Sequence, residues 1–163
     1  MIPVKLTHDE EMTCAAYALL RAYGSEGMND YSVQKMNLFQ DIARNGEAIG
    51  AENAVHKYFH RDIPFKPTVN TFKSKADVGW NLEVKHTPWK DGCLILRDRD
   101  RAEDVAVLVT GNSPNYYIVG WIPIGMARRP QRKRSDGSYW INPSDLNPIE
   151  NLNRSIYAQV SQA

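Results

Sequence analysis

Ala76-Asp77-Val78-Gly79-Trp80-Asn81-Leu82-Glu83-Val84-Lys85 is the stretch on which the fold turns. Upstream of it apolar residues recur at helical spacing; downstream they alternate or run in short β-branched blocks. Gly79-Trp80-Asn81 reads as a tight hairpin turn between Ala76–Val78 and Leu82–Thr87. Strand side chains alternate, so Glu83 and Lys85 share one face while Leu82 and Val84 share the other. A three-residue turn pairs Val78 with Leu82 and sets Asp77 opposite Glu83, with Cβ atoms about 4.5–5.5 Å apart. Two carboxylates that close repel unless something positive sits between them. A divalent cation is the natural candidate, because Mg²⁺ takes one or two carboxylates together with waters and substrate phosphate. Lys85, next on the same face, can orient or activate an attacking water and offset charge building on a phosphate. The plainer reading is a solvated strand face, since Glu and Lys are common surface residues.

Working outward toward the N-terminus, Thr7 can cap a helix, with Glu10 at the capping-box spacing. Met12, Ala15, Ala16, Leu19, Leu20 and Tyr23 form its expected apolar stripe, and Gly24 ends it. Gly24 to Tyr31 reads as a loop. A second helix is expected from Ser32, with Val33, Met36, Phe39, Ile42 and Ala43 inward, ending at Asn45-Gly46. A third follows from about Glu47 to Phe59, with Ala48, Ala51, Val55, Tyr58 and Phe59 as its apolar face.

Toward the C-terminus the pattern is that of strands. After Pro64 and Pro67, Thr68 to Phe72 is a short candidate. Gly92 to Arg97 is another, Val105 to Thr110 reads as a buried strand, and Tyr116 to Pro123 follows the turn Gly111-Asn112-Ser113-Pro114-Asn115. Ala127 to Ser138 is polar, basic and loop-like, and the tail from Pro143 holds room for one or two short helices. Helices first, then strands, then a mixed tail imply an α/β (α+β) domain with N-terminal helices packed on one curved sheet.

Composition bounds the function without naming it. The chain has 163 residues, is 42% hydrophobic and 24% charged, and carries a formal net charge of +1. That suits one domain with one packed core: helices over residues 1–46, a core over 47–123, and a basic loop and tail over 124–163. The near-balance of charge does not announce a nucleic-acid binder, so any such claim needs local support. Cys14 and Cys93 are too few and too far apart for a zinc cage. The polar, acidic N-terminus is not a signal peptide, and no apolar run approaches the ~20 residues that span a bilayer. A soluble cytoplasmic protein with no membrane partner is the expectation.

A further carboxylate strengthens the case for chemistry. Ala48, Glu52, Val55 and Phe59 fall on one helical stripe, which puts Glu52 among residues expected to face the sheet. A buried carboxylate is costly unless paired or coordinated. The functional reading is a carboxylate delivered from the helix to the site of Asp77 and Glu83; the plain one is a partly exposed flank. Glu47, near the same stripe, is the second choice.

Asp77 followed by Glu83-Val84-Lys85 resembles the signature of the PD-(D/E)XK nuclease superfamily. The helix with Ala48-Ile49-Gly50-Ala51-Glu52-Asn53-Ala54-Val55 is similar to the acidic helix of many members. The resemblance runs on through Val107-Leu108-Val109-Thr110-Gly111 and Ile118-Val119-Gly120-Trp121-Ile122-Pro123. It extends to Tyr139-Trp140-Ile141-Asn142-Pro143-Ser144-Asp145-Leu146, which resembles the end of small phage-encoded members. Roughly residues 46 to 146 are covered. Ala76 stands where the motif has proline, and the gap from Asp77 to Glu83 is very short. The resemblance implies a restriction-endonuclease-like core, a central mixed sheet of four strands flanked by helices, and hydrolysis of DNA phosphodiester bonds with Mg²⁺ or Mn²⁺. It implies that Glu52, Asp77 and Glu83 hold metal, with the carbonyl of Val84 as a further ligand, and that Lys85 serves the nucleophilic water. Many such nucleases act as homodimers, and a phage-encoded member would work in the cytoplasm of its host.

Arg128, Arg129, Arg132, Lys133 and Arg134 crowd one segment and are the expected DNA contacts, although a block of like charge is often only a solvated loop. Lys73 and Lys75 are weaker candidates. Trp80 and Trp89 could stack on an unpaired base or simply support turns, and Trp121 reads as core. His86 points to the face opposite Lys85. His56 and His60 lack an HExxH pattern and read as surface. Asp98, Asp100 and Glu103, beside Arg97, Arg99 and Arg101, read as a charge-balanced exposed loop. The alternative function is a non-catalytic nucleic-acid-binding module or phage-encoded adaptor on the same fold; a binder of polyanions gains nothing from carboxylates beside phosphate.

Overall fold

A computed structural model describes residues 1–24, 36–60, 62–67, 76–79 and 81–157. The expected helix start at Ser32, the strand Thr68–Phe72, and Lys73, Lys75 and Trp80 lie outside the described residues. The architecture is mixed α+β. The helices α1 (His8–Gly24) and α2 (Leu38–Phe59) follow a short strand β1 (Ile2–Lys5). Then come β2 (Leu82–Thr87), β3 (Leu94–Leu96), β4 (Val105–Asn112), β5 (Asn115–Pro123), the single turn α3 (Ile124–Ala127) and β6 (Tyr139–Ile141). A 3-10 turn at Pro130–Arg132 interrupts the basic segment, and two more, Pro143–Asp145 and Ile149–Arg154, occupy the tail. Among the described residues no helix is long and apolar enough to cross a membrane.

The main sheet has the order β1-β5-β4-β2. It is mixed: β2 runs parallel to β4, while β5 is antiparallel to both β4 and β1. β3 and β6 form a separate antiparallel pair. β4 is central, and all of Val105 to Thr110 is buried. Its alternation splits the core in two. Val105, Val107 and Val109 pack with Ala51, Ala54 and Val55 of α2. Ala106 and Leu108 pack against Leu94, Leu96, Tyr139 and Ile141 of the small sheet.

Three sequence expectations are corrected. The helix expected to stop at Asn45-Gly46 and restart at Glu47 is continuous from Leu38, with Asn37 and Gln40 forming its capping box. An interior glycine costs about 1 kcal/mol relative to alanine, and here Gly46 lies beside Ala18 of α1, at a spacing where a Cβ would make ordinary van der Waals contact. Second, the stripe expected on α1 is turned outward. Met12, Ala15, Ala16, Leu19, Leu20 and Tyr23 are exposed, and Cys14, Ala18, Arg21 and Ala22 are buried instead. Small residues let α1 approach α2, and Arg21 is drawn inward by a carboxylate. Third, strands β1 and β6 were not anticipated; each is only a few residues long and pairs with a distant segment. The Thr7–Glu10 capping box does form, with Thr7 N–H donating to Glu10 Oε2 at 2.6 Å and Glu10 N–H to Thr7 Oγ1 at 3.3 Å.

Candidate active site

β2 lies at one edge of the main sheet and carries the Glu83-Val84-Lys85 motif. Val78 and Leu82 pair as the three-residue turn requires, exchanging N–H···O bonds of 3.0 and 3.2 Å. The ladder goes no further. In an antiparallel pair the next hydrogen-bonded partners stand two residues on, so Val84 N–H would reach for residue 76. Instead Asp77 Oδ2 accepts the Val84 N–H at 2.8 Å. Asp77 is thus a side-chain substitute for a strand, not the strand residue facing Glu83 that the turn geometry implied. A strand residue presents its N–H and C=O to the same edge, so the Val84 carbonyl opens on the side where Asp77 sits.

Register places the other groups. Glu83 aligns with Ala106 and Lys85 with Leu108, so both lie on the face of the small sheet, away from α2. Lys85 Nζ donates to Glu83 Oε1 at 2.8 Å and to Asp100 Oδ1 at 2.9 Å. The sequence places Asp100 in an exposed loop, and the fold does not. Asp100 is 5% exposed and also accepts the Arg97 N–H at 2.6 Å. Asp104, nearby, is likewise buried, paired with Arg101. The alternating charges of this loop concealed that two of its acids turn inward.

Glu52 is buried on α2, as its stripe implied. Its partner, missed in the sequence, is Arg21, whose Nη1 and Nη2 each donate to one Glu52 oxygen at 2.9 Å. Both are nearly sealed from solvent, and bidentate geometry of this kind is the strong form of the interaction. Glu52 stands on the helical side of the sheet and Glu83 on the opposite face, and the charge of both bears on Asp77.

The electrostatics follow from this arrangement. Burial, then Glu52, then Glu83 push the Asp77 carboxyl well above the ordinary carboxylate range; the Val84 N–H and Lys85 oppose this without cancelling it. Burial also raises Glu52, partly offset by the hydrogen bond and charge of Arg21, with Glu83 adding to the rise. For Lys85, burial pulls the amine down, but Glu83 and Asp100 outweigh it and hold the ammonium above its usual value. Asp77 and Glu52 are therefore undercompensated, while the lysine is doubly compensated.

Among the described residues no three carboxylate, histidine or cysteine side chains converge as a metal-binding cluster. Two carboxylates nevertheless suit a hard cation that keeps its waters. Asp77 Oδ1 and Glu83 Oε2 carry no hydrogen bond among the described residues. The surplus negative charge around them is what a cation would relieve. Each Glu52 oxygen accepts one hydrogen bond from Arg21, so the guanidinium would compete with a cation for that carboxylate.

The remaining candidates separate. Glu47 accepts from Tyr116 Oη at 2.8 Å and Ser113 N at 3.0 Å, away from the site. His86 faces α2, with Nε2 2.8 Å from the Gly111 carbonyl. His56 and His60 are half-buried; their rings are tilted 40° to each other with centroids 5.1 Å apart, and His56 Nε2 lies 2.8 Å from the Ile63 carbonyl. Trp89 is exposed and Trp121 is core. In the basic segment, Arg132 pairs with Asp145, Lys133 with Asp98, and Arg134 lies over the Trp140 ring. Arg129 is exposed, and Arg128 keeps Nε and Nη2 buried without a hydrogen-bond partner among the described residues. Arg97 and Asp98 tie this segment to the loop that carries Asp100, so it lies on the face of Glu83 and Lys85. Comparison with family models, curated proteins and solved structures returns no match to this chain.

Proposed function

We propose that this chain is a metal-dependent deoxyribonuclease of the PD-(D/E)XK kind, built on a restriction-endonuclease-like core. The observation that carries the reading is the crowding of Asp77 and Glu83 at a sheet edge beside the Lys85 ammonium. Asp77 and Glu83 would hold Mg²⁺ or Mn²⁺, with the Val84 carbonyl in reach of the same edge. When bound, such an ion polarises the phosphodiester and makes water nucleophilic near neutral pH. Lys85, with a carboxylate on either side, stays charged; its role is to orient water and to stabilise charge developing on the phosphate, not to take a proton. Glu52, paired with Arg21, still acts on Asp77 through space. The exposed cations of residues 128–134 bind the DNA backbone.

The test is incubation of the purified protein with single-stranded, duplex and branched DNA, with Mg²⁺ or Mn²⁺ and then with a chelator, beside Asp77→Ala and Lys85→Ala. Metal-dependent cutting lost in both variants is the expected result. Cutting that survives both would remove these residues from the site. The Arg21–Glu52 pair favours one alternative, because the guanidinium competes with metal for that carboxylate: a non-catalytic nucleic-acid-binding adaptor. Tight DNA binding with no cleavage of any substrate would select it.

A further inference from the structure

We propose that Asp100 is a positioning residue for Lys85: from the loop before β4 it clamps the Lys85 ammonium against Glu83 and so fixes where that charge stands on the sheet face. The inference deepens the nuclease reading, on which its kinetic part rests. Lys85 Nζ touches carboxylates from two elements, Glu83 Oε1 at 2.8 Å and Asp100 Oδ1 at 2.9 Å. The two anchors are unequal. Glu83 is on the same strand two residues away, and its side chain is partly exposed, so alone it could move together with the lysine. Asp100 is held from behind. Its Oδ2 takes the Arg97 N–H at 2.6 Å, and its own N–H closes the turn on the Arg97 carbonyl at 3.1 Å.

A short carboxylate tied to its own turn cannot follow a wandering ammonium, so the lysine must come to it. Burying such a carboxylate is unfavourable unless it is paired, which gives the contact a reason to persist. The clamp also communicates with the basic segment. Arg97 reaches Asp136, and Asp98 reaches Lys133, from the turn that Asp100 closes. Backbone contacts made by that segment would therefore bear on the turn that sets Lys85.

The experiment reads the lysine directly. In the wild-type protein without added metal, ¹⁵N relaxation of the lysine ammonium groups should show Lys85 Nζ far more ordered than exposed Lys90. Equal mobility would overturn the clamp without recourse to any variant. Asp100→Asn keeps an oxygen for the Arg97 N–H but loses the charged anchor. It should release Lys85 and lower kcat roughly 10- to 100-fold at unchanged KM, the pattern of a group misplaced for the chemical step. Unchanged kcat, or a fall in kcat with Lys85 still ordered, would also overturn it. If the wild-type protein cleaves no DNA, the nuclease reading falls, and the relaxation comparison still decides whether Asp100 holds Lys85.

Discussion

Asp77 and Lys85 are neighbours in one site, yet they should respond to substitution with opposite signs. Asp77 is crowded by burial, Glu52 and Glu83, and its proton is held more tightly in the folded chain than in the unfolded one. As pH rises past the unfolded value of about 3.9, ionisation therefore begins to cost stability, and the full cost is reached above the folded value. Asp77→Asn removes that cost and leaves an oxygen for Val84 N–H. In urea unfolding without divalent metal it should be more stable than wild type at pH 7, by on the order of 1 kcal/mol, with the difference vanishing near pH 3. Equal or lower stability at pH 7 would mean that the crowding is relieved some other way. Lys85→Ala leaves Glu83 and Asp100 facing each other without their cation, and should lose about 1–3 kcal/mol at pH 7. Legibility divides along the same line. The alternation of strand side chains was enough to place Glu83 and Lys85 together, and helical spacing was enough to bury Glu52. Arg21 and Asp100 were hidden because their partners stand 31 and 15 residues away, beyond any local period.

At the level of elements, the chain's local signals failed where tertiary contact overrode them. Glycine reads as a helix terminator, yet α2 carries two in its interior. Gly46 lies beside Ala18, and Gly50 lies under the Tyr116 ring: a Cβ there would overlap the hydroxyl oxygen and stand 2.7 Å from Cζ. Tyr116 is fully buried, so the ring has little room to yield. Gly50→Ala, an improvement on propensity alone, should therefore destabilise the fold by about 1–3 kcal/mol, as overpacking does. Thermal unfolding with Tyr116→Phe beside it isolates the cause, since Gly50→Ala should be better tolerated once the hydroxyl is gone. A Gly50→Ala protein as stable as wild type would show that helix and sheet are not packed this closely. The same dominance of contact explains the reversed stripe on α1. Its large apolar residues announced a buried face, but the α1–α2 seam is built from Cys14, Ala18 and Ala22. The pairing of Val78 with Leu82 after Gly79 and strands β4 and β5 were legible because each signal was local: a turn glycine, or an unbroken β-branched run.

For the molecule as a whole, a net charge of +1 provides almost no long-range pull on a polyanion. Any affinity for DNA must come from cations that are both free and placed on the face of Glu83 and Lys85. The basic segment looks uniform in the sequence and is not so in the fold. Arg132 is mostly covered and bonds the Ala127 carbonyl as well as Asp145. Arg129 is exposed, and Arg134 extends over Trp140, which leaves both guanidinium groups able to meet phosphate. Each phosphate neutralised contributes about 0.9 to the slope of log K against log salt. Arg129→Ala and Arg134→Ala should each flatten that slope by about this amount, weakening binding evenly across sequences. Arg132→Ala should leave the slope unchanged, because the contact it loses is with Asp145 and not with DNA. Anisotropy of a labelled oligonucleotide over a KCl series, in an Asp77→Asn background with chelator to prevent cutting, makes the comparison. Three equal changes in slope would mean that the Arg132–Asp145 pair opens on binding; no change in any would put the DNA on another face and separate the basic segment from the carboxylates at the edge of β2.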